Sequence, residues 1–471
     1  MARQRTGLAA VALVVAVAAV VATDRAFPAE APRIPAAGTA ETLPLSAATL
    51  VCPDVAEAGK GPRSTRVTYV SELAGGTVTA HWLTRGVADV TSPGSDQPQT
   101  LAEQTGNFGG VVLTASGAAA AGFSAQLTSR YDDGPTAGTA GLACAAPSSN
   151  AYFAGPATTV GHDPRLVLVN PDPTPANVDV SVAQDTKPFS PDSTRGIALP
   201  GYGSTSIALV DVAPEQGAVA VHVQTRSGRV TAAIRDRWFT GSVPRGVDWL
   251  TPGAPPGTDL VLPGVGGPAT TVSLTLVSQS TDAGTVAVQA LNDTGSFTPA
   301  GLDAIALAPG AIVRLSVPKS AFAGPGALHV TSDVPLLASA VSTRADTAKQ
   351  PRADFAWTPS ATALSGPTRT PSGSQLVLTS ASDTTVEFRS PSQASASAAS
   401  LDVPAGTAVT FPLAGYPDGV IVVPRDPGVV KAAVVATPAG LGGALTSTAL
   451  STQPRTVVLL PARPDIFLGS R

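Results

Sequence analysis

The chain has 471 residues, a formal net charge of −4 and only 13% charged residues. This length predicts several domains, and the absence of a basic surplus excludes the charge distribution typical of nucleic-acid-binding proteins, so we expect no nucleic-acid partner. The 46 glycines and 44 prolines leave little room for long helices, and the composition favours an all-β protein.

The N-terminal segment has the pattern of an export signal. Residues 1–7 form a basic segment expected in the cytoplasm, and residues 8–23 follow as an apolar run. Positive charge before an apolar run directs the rest of the chain outward. The run, of about 15 residues, fits a signal peptide and is short for a membrane span. A cleaved peptide and a retained anchor are weighed equally, so we expect a secreted protein or a single-pass cell-membrane protein with its C-terminal part extracellular.

Beyond a Pro/Ala-rich spacer at residues 24–47, one strand pattern recurs four times with a period of about 100 residues. Each copy has an alternating strand, a polar turn and a second alternating strand, which indicates a hairpin. Six or seven strands in about 100 residues is typical of an immunoglobulin-like sandwich. We therefore predict tandem Ig-like β-sandwich repeats behind an N-terminal apolar helix, as four modules at residues 48–150, 151–262, 263–365 and 366–471.

A short apolar or aromatic segment recurs between these modules, near Cys52, Phe153, Trp249, Trp357 and Leu460. Five copies flank four modules, as expected for a strand that leads from each module to the next. The alternative is a closed propeller-like ring of four large β modules, in which the first and last copies pair. Because propeller blades are typically about half this length, we favour the open array.

Cys52 and Cys144 bracket the first module. An even number of cysteines in an exported chain indicates a disulfide. A metal pair and two free thiols are the alternatives, and metal binding is disfavoured because no histidine or acidic cluster flanks either cysteine.

Sequence motifs for catalysis are missing. The chain has no G-x-S-x-G, P-loop, H-E-x-x-H or EF-hand spacing. His222 and His329 occupy equivalent places in modules 2 and 3, which indicates strand positions, and His162 precedes a strand in a predicted turn. We predict no catalytic, cofactor-binding or metal-binding residues and no enzymatic activity.

The densest charge cluster is Arg235, Asp236 and Arg237, followed by Trp238. One interpretation is the solvated end of a strand, with Trp238 covering a seam between modules. The other is a ligand contact, in which Trp238 stacks on a carbohydrate and the charged side chains bond its hydroxyl groups.

Several segments resemble the DUF5719 proteins, an actinobacterial family of unknown function, over most of the chain. They are residues 50–54 (LVCPD), 141–158 (GLACAAPSSNAYFAGPAT), 166–172 (LVLVNPD), 235–239 (RDRWF), 248–256 (DWLTPGAPP) and 354–361 (DFAWTPSA). The resemblance implies an exported, envelope-associated protein and brings no catalytic residues. Members are encoded near envelope glycosyltransferases, which points to cell-surface glycan biology.

Together these features lead us to expect a non-catalytic cell-envelope protein that acts as a structural or protein-interaction scaffold. Its expected partners are an envelope protein and, if the N-terminal segment is uncleaved, the membrane. The alternatives are a binding array for cell-surface glycan and an envelope enzyme with an unrecognised site. An exposed aromatic strip would favour the glycan, and a cleft of titratable groups the enzyme.

Overall fold

The computed structural model describes residues 41–54, 64–83, 87–104, 109–131, 137–184, 187–190, 194–267, 269, 271–345, 353–371, 373–390, 397–437 and 445–459. Strands make up nearly all the regular structure in these residues, which confirms the all-β prediction. Helix is limited there to single turns at Gly117–Ala120, Leu209–Val212 (α1) and Lys319–Ala321. The predicted N-terminal helix and most of the spacer lie outside the described residues. Within the described ranges, no helix has the length and apolarity needed to cross a membrane.

Two compact units are present. The described part of the small unit, residues 41–43 and 456–459, belongs to a two-stranded sheet of β1 (Glu41–Pro44) and β35 (Thr456–Leu459). The large unit, residues 44–455, contains all the other strands, which fall into four consecutive sets with the same sheet order. We call these sets modules 1 to 4.

Module 1 pairs its strands as β2-β7-β4-β5 and β6-β3-β8-β9. The strands are β2 (Ala47–Cys52), β3 (Ser64–Val70), β4 (Thr77–Trp82), β5 (Val90–Pro93), β6 (Gln99–Gln104), β7 (Val111–Ser116), β8 (Ser124–Tyr131) and β9 (Gly138–Ala143). β8 shows why such a strand forms, since its buried residues alternate with more exposed ones and one face therefore packs on the core.

Module 2 repeats this order as β10-β16-β12-β13, with β14 also on β12, and β15-β11-β17-β18. Its elements are β10 (Asn150–Ala154), β11 (Arg165–Val169), β12 (Ala176–Gln184), β13 (Lys187–Ser190), β14 (Ile197–Leu199), β15 (Ser204–Ala208), α1, β16 (Val219–Ser227), β17 (Thr231–Thr240) and β18 (Val243–Leu250).

Module 3 contains β19 (Gly257–Gly266), β20 (Thr271–Ser278), β21 (Gly284–Asn292), β22 (Gly295–Phe297), β23 (Ile305–Leu307), β24 (Ile312–Val317), β25 (Pro325–Ala345) and β26 (Ala353–Pro359). The first part of the 21-residue β25 pairs with β19 and β21, and its last part pairs with β20 and β26. One long strand thus takes the places of two strands of the other modules.

Module 4 has the orders β27-β32-β29-β30 and β31-β28-β33-β34. Its strands are β27 (Thr368–Arg369), β28 (Gln375–Ser380), β29 (Thr384–Arg389), β30 (Ser397–Val403), β31 (Ala408–Pro412), β32 (Ile421–Pro424), β33 (Val430–Ala436) and β34 (Thr446–Ala449).

The last strands of the four modules, β9, β18, β26 and β34, are here called the terminal strands. Each lies at the edge of its sheet. β9 contacts β18, β18 contacts β26, β26 contacts β34, and β34 contacts β9. The contact between β34 and β9 joins the last module to the first. An open array, which the module length favoured, does not require such a contact.

Apolar packing joins modules that are neighbours in sequence. Val247 and Trp249 of module 2 belong to the core of module 1, and Phe355 and Trp357 of module 3 belong to the core of module 2. A polar contact joins modules 4 and 1. Nη1 of Arg369 in module 4 donates to the carbonyl oxygen of Asp96 in module 1 at 2.9 Å.

One β-turn recurs in modules 2, 3 and 4. Its first carbonyl accepts the N–H three residues on, in the pairs Pro200–Gly203, Ala308–Ala311 and Pro404–Thr407. The third turn residue has a positive φ, which is 53° at Tyr202, 64° at Gly310 and 67° at Gly406. Glycine adopts this conformation freely, whereas another residue there costs roughly 1–2 kcal/mol. Tyr202 therefore occupies a position that its sister modules give to glycine.

Cys52 and Cys144 form a disulfide, as predicted. The bond closes a separation of 92 residues and ties β2 to the chain just after β9. Beside it, Val51 and Ala145 exchange backbone hydrogen bonds of 2.9 and 3.1 Å.

Removal of this disulfide should destabilise the protein. We expect the double variant C52A/C144A to lose about 4 kcal/mol of unfolding free energy, because its unfolded chain regains the entropy of an open loop. Urea denaturation measures this loss, and wild-type protein in reductant serves as the matched control. An unchanged urea midpoint in reductant would show that the bond adds nothing to stability.

Candidate functional site: buried carboxylates between the modules

Two fully buried carboxylates lie on neighbouring terminal strands, Asp248 on β18 and Asp354 on β26. We call this pair the carboxylate hub. Oδ2 of Asp354 accepts the backbone N–H of Thr139 in module 1 at 3.2 Å and that of Leu445, next to β34 of module 4, at 3.3 Å. Its Oδ1 accepts the N–H of Phe355 at 3.0 Å. One side chain therefore hydrogen-bonds the main chain of three modules.

Asp248 makes the corresponding link between modules 2 and 3. Its Oδ2 accepts the backbone N–H of Trp357 at 2.8 Å. Because the terminal strands are sheet edges, part of their backbone has no neighbouring strand to bond. The hub oxygens supply acceptors for N–H groups at edges that are buried away from water.

A glycine makes the close approach to Asp354 possible. Gly246 has a φ of 117°, and a Cβ at this position would lie 2.4 Å from Oδ1 of Asp354. Any larger residue at Gly246 would therefore displace the carboxylate or β18.

Burial raises the pKa of both hub carboxyls well above the ordinary value. Backbone N–H groups oppose this rise, and the charge of Asp354 adds to it at Asp248. A carboxyl whose pKa is raised by folding binds its proton more tightly in the folded state. Its contribution to stability is therefore full at acidic pH and declines as the pH rises through the folded pKa.

Arg235, Asp236, Arg237 and Trp238 all lie on β17, beside the terminal strand β18. Arg235 and Asp236 are 1% and 0% exposed, so these two do not form a solvated strand end. Trp238 is half-buried and stacks on Phe355 of module 3 with ring centroids 4.1 Å apart. The structure thus places this cluster at the seam between modules 2 and 3.

Asp236 bonds both sides of this seam. Its Oδ2 accepts the indole N–H of Trp238 at 2.7 Å and that of Trp357, in module 3, at 3.2 Å. Burial raises the pKa of Asp236 to about 7, the indole N–H groups oppose the rise, and the charge of Asp163 adds to it. Such a pKa suits a general acid or base, but the side chain has no exposed surface to offer a substrate.

Arg237 is engaged by Asp163, which also pairs with Arg165 at 3.2 Å. Burial acts to raise the pKa of Asp163, but the hydrogen bond from Arg237 and the charges of the nearby arginines lower it overall. His162 contacts the edge of Trp238 with ring centroids 4.9 Å apart. Burial and the charge of Arg314 lower the pKa of His162 to about 4, so this imidazole is neutral at neutral pH.

Sequence reasoning identified the β17 cluster and missed its partners. Asp163 follows His162 in the predicted turn and lies 74 residues before Arg237 in sequence, so no local pattern pairs it with Arg237. The hub aspartates begin two of the family-like segments, residues 248–256 and 354–361, and the sequence pattern assigned them no role. The available signal was an aspartate beside a tryptophan or phenylalanine in otherwise apolar runs.

The described residues hold no cluster of three or more His, Cys, Asp or Glu side chains arranged to bind a metal ion. A family model described as a family of unknown function, DUF5719, matches residues 93–414. The chain belongs to the DUF5719 family. The matched region of this DUF5719 protein contains the hub, the β17 cluster and Asp163. No curated protein matches the chain.

Loss of Asp354 should destabilise the DUF5719 protein strongly. In Asp354→Ala, the buried N–H groups of Thr139 and Leu445 lose their acceptor at a cost of roughly 1–3 kcal/mol each. We therefore expect a loss of about 3 kcal/mol of unfolding free energy, measured by urea denaturation at pH 7. The control is Asp333→Ala, because Asp333 accepts the N–H of Thr285 at 2.8 Å within module 3 and is exposed. Equal small losses in both variants would contradict a central role for Asp354.

The seam carboxyls should affect stability in opposite directions with pH. The pKa of Asp236 is raised to about 7, so its proton stabilises the fold at acidic pH and this contribution falls as pH rises from 4 to 7, by on the order of 4 kcal/mol. Asp236→Asn keeps an acceptor for both indoles, and we expect it to lose less stability than wild type over this range.

Asp163→Asn is the matched control for this measurement. The pKa of Asp163 is lowered, so its contribution is present above about pH 4 and is lost as the pH falls through the folded pKa. Its variant should therefore be weakened by a nearly constant amount from pH 4 to 7 and by less at lower pH. Parallel stability curves from pH 4 to 7 for wild type and Asp236→Asn, recorded by urea denaturation, would contradict the assignment.

Proposed function

We propose that this DUF5719 protein is a non-catalytic scaffold of the cell envelope, built from four Ig-like sandwiches in a closed, propeller-like ring. The observation that carries the proposal is the bonding of Asp354 to the main chain of modules 1, 3 and 4. A body joined at its centre in this way holds its surface loops at fixed spacing. Fixed spacing suits a docking platform for an envelope protein.

The sandwich and ring arrangements have separate support. Each module has two antiparallel groups of strands with a shared buried core, as face-to-face sheets require. The cyclic contacts of the terminal strands support the ring. In such a ring the hub carboxyls accept hydrogen bonds from sheet edges, and an open array would leave these edges exposed.

Export is supported by the basic and apolar residues of segment 1–23 and by the disulfide, which persists in oxidising compartments. If segment 8–23 stays attached, it tethers the scaffold to the membrane with modules 1 to 4 outside. If it is cleaved, the scaffold is secreted.

Among the described residues, Asp236 is the best candidate for the competing enzyme hypothesis, because its pKa of about 7 suits proton transfer. Its oxygens bond two indoles and it has no exposed surface. We therefore assign Asp236 to the joining of modules 2 and 3.

Complementation of a deletion strain of the native organism separates the two hypotheses. We expect Asp236→Asn to restore the wild-type phenotype, because the scaffold needs only the acceptor that asparagine retains. We expect Asp354→Ala to fail when its melting temperature falls near the growth temperature, because the modules are then no longer held together. Immunoblots measure protein levels, and external protease on intact cells tests the location.

Failure of Asp236→Asn at wild-type abundance and melting temperature would favour an enzyme and overturn the scaffold proposal. Protection of the modules from external protease, with digestion after lysis, would overturn export. Full rescue by Asp354→Ala at a wild-type melting temperature would show that the hub is not needed to hold the modules together.

A further inference from the structure

A partly exposed cluster of polar and aromatic groups lies where modules 1 and 2 meet. The ring of Tyr202, in the module 2 turn, packs against the ring of His81 on β4 of module 1 with centroids 4.2 Å apart and planes inclined by 36°. Nδ1 of His81 lies 2.8 Å from Oδ1 of Asp89 in the same module. We call Tyr202, His81 and Asp89 the junction cluster.

Tyr202 is unusual in both backbone and exposure. Its φ of 53° belongs to a conformation for which modules 3 and 4 use Gly310 and Gly406. Residues held in sparsely populated backbone conformations cluster at functional sites. Packing alone does not account for it, because the aromatic rings that fill the seams, Trp249 and Trp357, are 2% and 1% exposed, whereas Tyr202 is 40% exposed.

The polar groups of the junction cluster have unused bonding capacity. Among the residues that the structure describes, none hydrogen-bonds the hydroxyl of Tyr202 or Oδ2 of Asp89, and the Asp89 side chain is 51% exposed. Val87 and Val90 flank Asp89 in sequence and are 40% and 42% exposed. His81 thus brings an exposed aromatic ring and a carboxylate oxygen with free bonding capacity together.

We propose that the junction cluster binds a neutral pyranose ring of a glycan. One face of a pyranose presents C–H groups, which carry slight positive charge and stack on the negative face of an aromatic ring. Its edge presents hydroxyl groups, which donate to the Asp89 carboxylate and bond the phenol of Tyr202. This role goes beyond the scaffold and does not depend on it.

The chain supplies a matched control for the stacking residue. Tyr152 on β10 stacks on His222 with ring centroids 4.3 Å apart, so it forms a second tyrosine–histidine pair. It lies in a regular strand and has no positive φ. The histidine there bonds Asn150, at 3.2 Å, where the junction cluster has a carboxylate.

The test uses the purified full chain and four neutral hexasaccharides, an α-1,4-glucan, a β-1,4-glucan, a β-1,4-galactan and a β-1,4-mannan. Saturation-transfer NMR detects binding, and titration gives affinities. We expect at least one sugar to bind and its affinity to fall about tenfold in Tyr202→Ala and Tyr202→Gly, which remove the stacking ring. Asp89→Asn should weaken binding as well, and Tyr152→Ala should leave it unchanged.

Tyr202→Gly also separates binding from folding. Glycine is the residue that the sister turns use, so we expect this variant to keep or raise the melting temperature while it loses sugar binding. Binding of none of the four sugars, wild-type affinity in both Tyr202 variants, or an equal loss in Tyr152→Ala would overturn the proposal. A photocrosslinker at Asp89 that captures a protein, with no sugar bound, would identify a protein-docking surface and overturn it too.

Discussion

Four sheet edges are buried inside one body of this protein, and their backbone N–H groups must be hydrogen-bonded there without water. An unpaired buried N–H costs free energy comparable to a lost hydrogen bond. The carboxylate of Asp354 meets this requirement for β9 and for the residue that precedes β34, and Asp248 meets it for β26. A side chain is needed because four edges converging from different sheets cannot all pair as strands.

The same requirement explains why acidic groups lie at the least exposed positions of a chain with few charges. A buried carboxylate is costly unless hydrogen bonds surround it, and at the hub those donors come from several modules. At the neighbouring seam, Asp236 serves two indoles and keeps a raised pKa, whereas Asp163 meets arginines and has a lowered pKa. Burial dominates at Asp236, whose donors are neutral indoles, whereas at Asp163 the neighbouring arginines overcome the effect of burial.

Because the modules repeat one fold, equivalent positions can be compared within this chain, and a residue that differs from its equivalents can be identified. His222 and His329 take equivalent places, and each bonds a side chain of its module's first strand at 3.2 Å, Asn150 in one case and Asp259 in the other. In the recurrent turn, the backbone conformation is shared but the residue is not, because Tyr202 stands where the other two modules have glycine. The first case is a structural position that the fold repeats, and the second is a backbone position whose residue differs between modules.

The sequence by itself determined the β class, the fourfold strand pattern, the Cys52–Cys144 disulfide and the membership of the DUF5719 family. Alternation and turn residues are local patterns, and the disulfide follows from the presence of two cysteines in the whole chain. It also pointed to the β17 cluster, but the tertiary structure alone decided that Asp236 is buried between two modules and that Asp354 serves three. Thr139 and Asp354 are 215 residues apart, and no local pattern records which distant N–H group a carboxylate will meet. Their pairing is fixed by how the modules pack, because only that packing brings the sheet edges together.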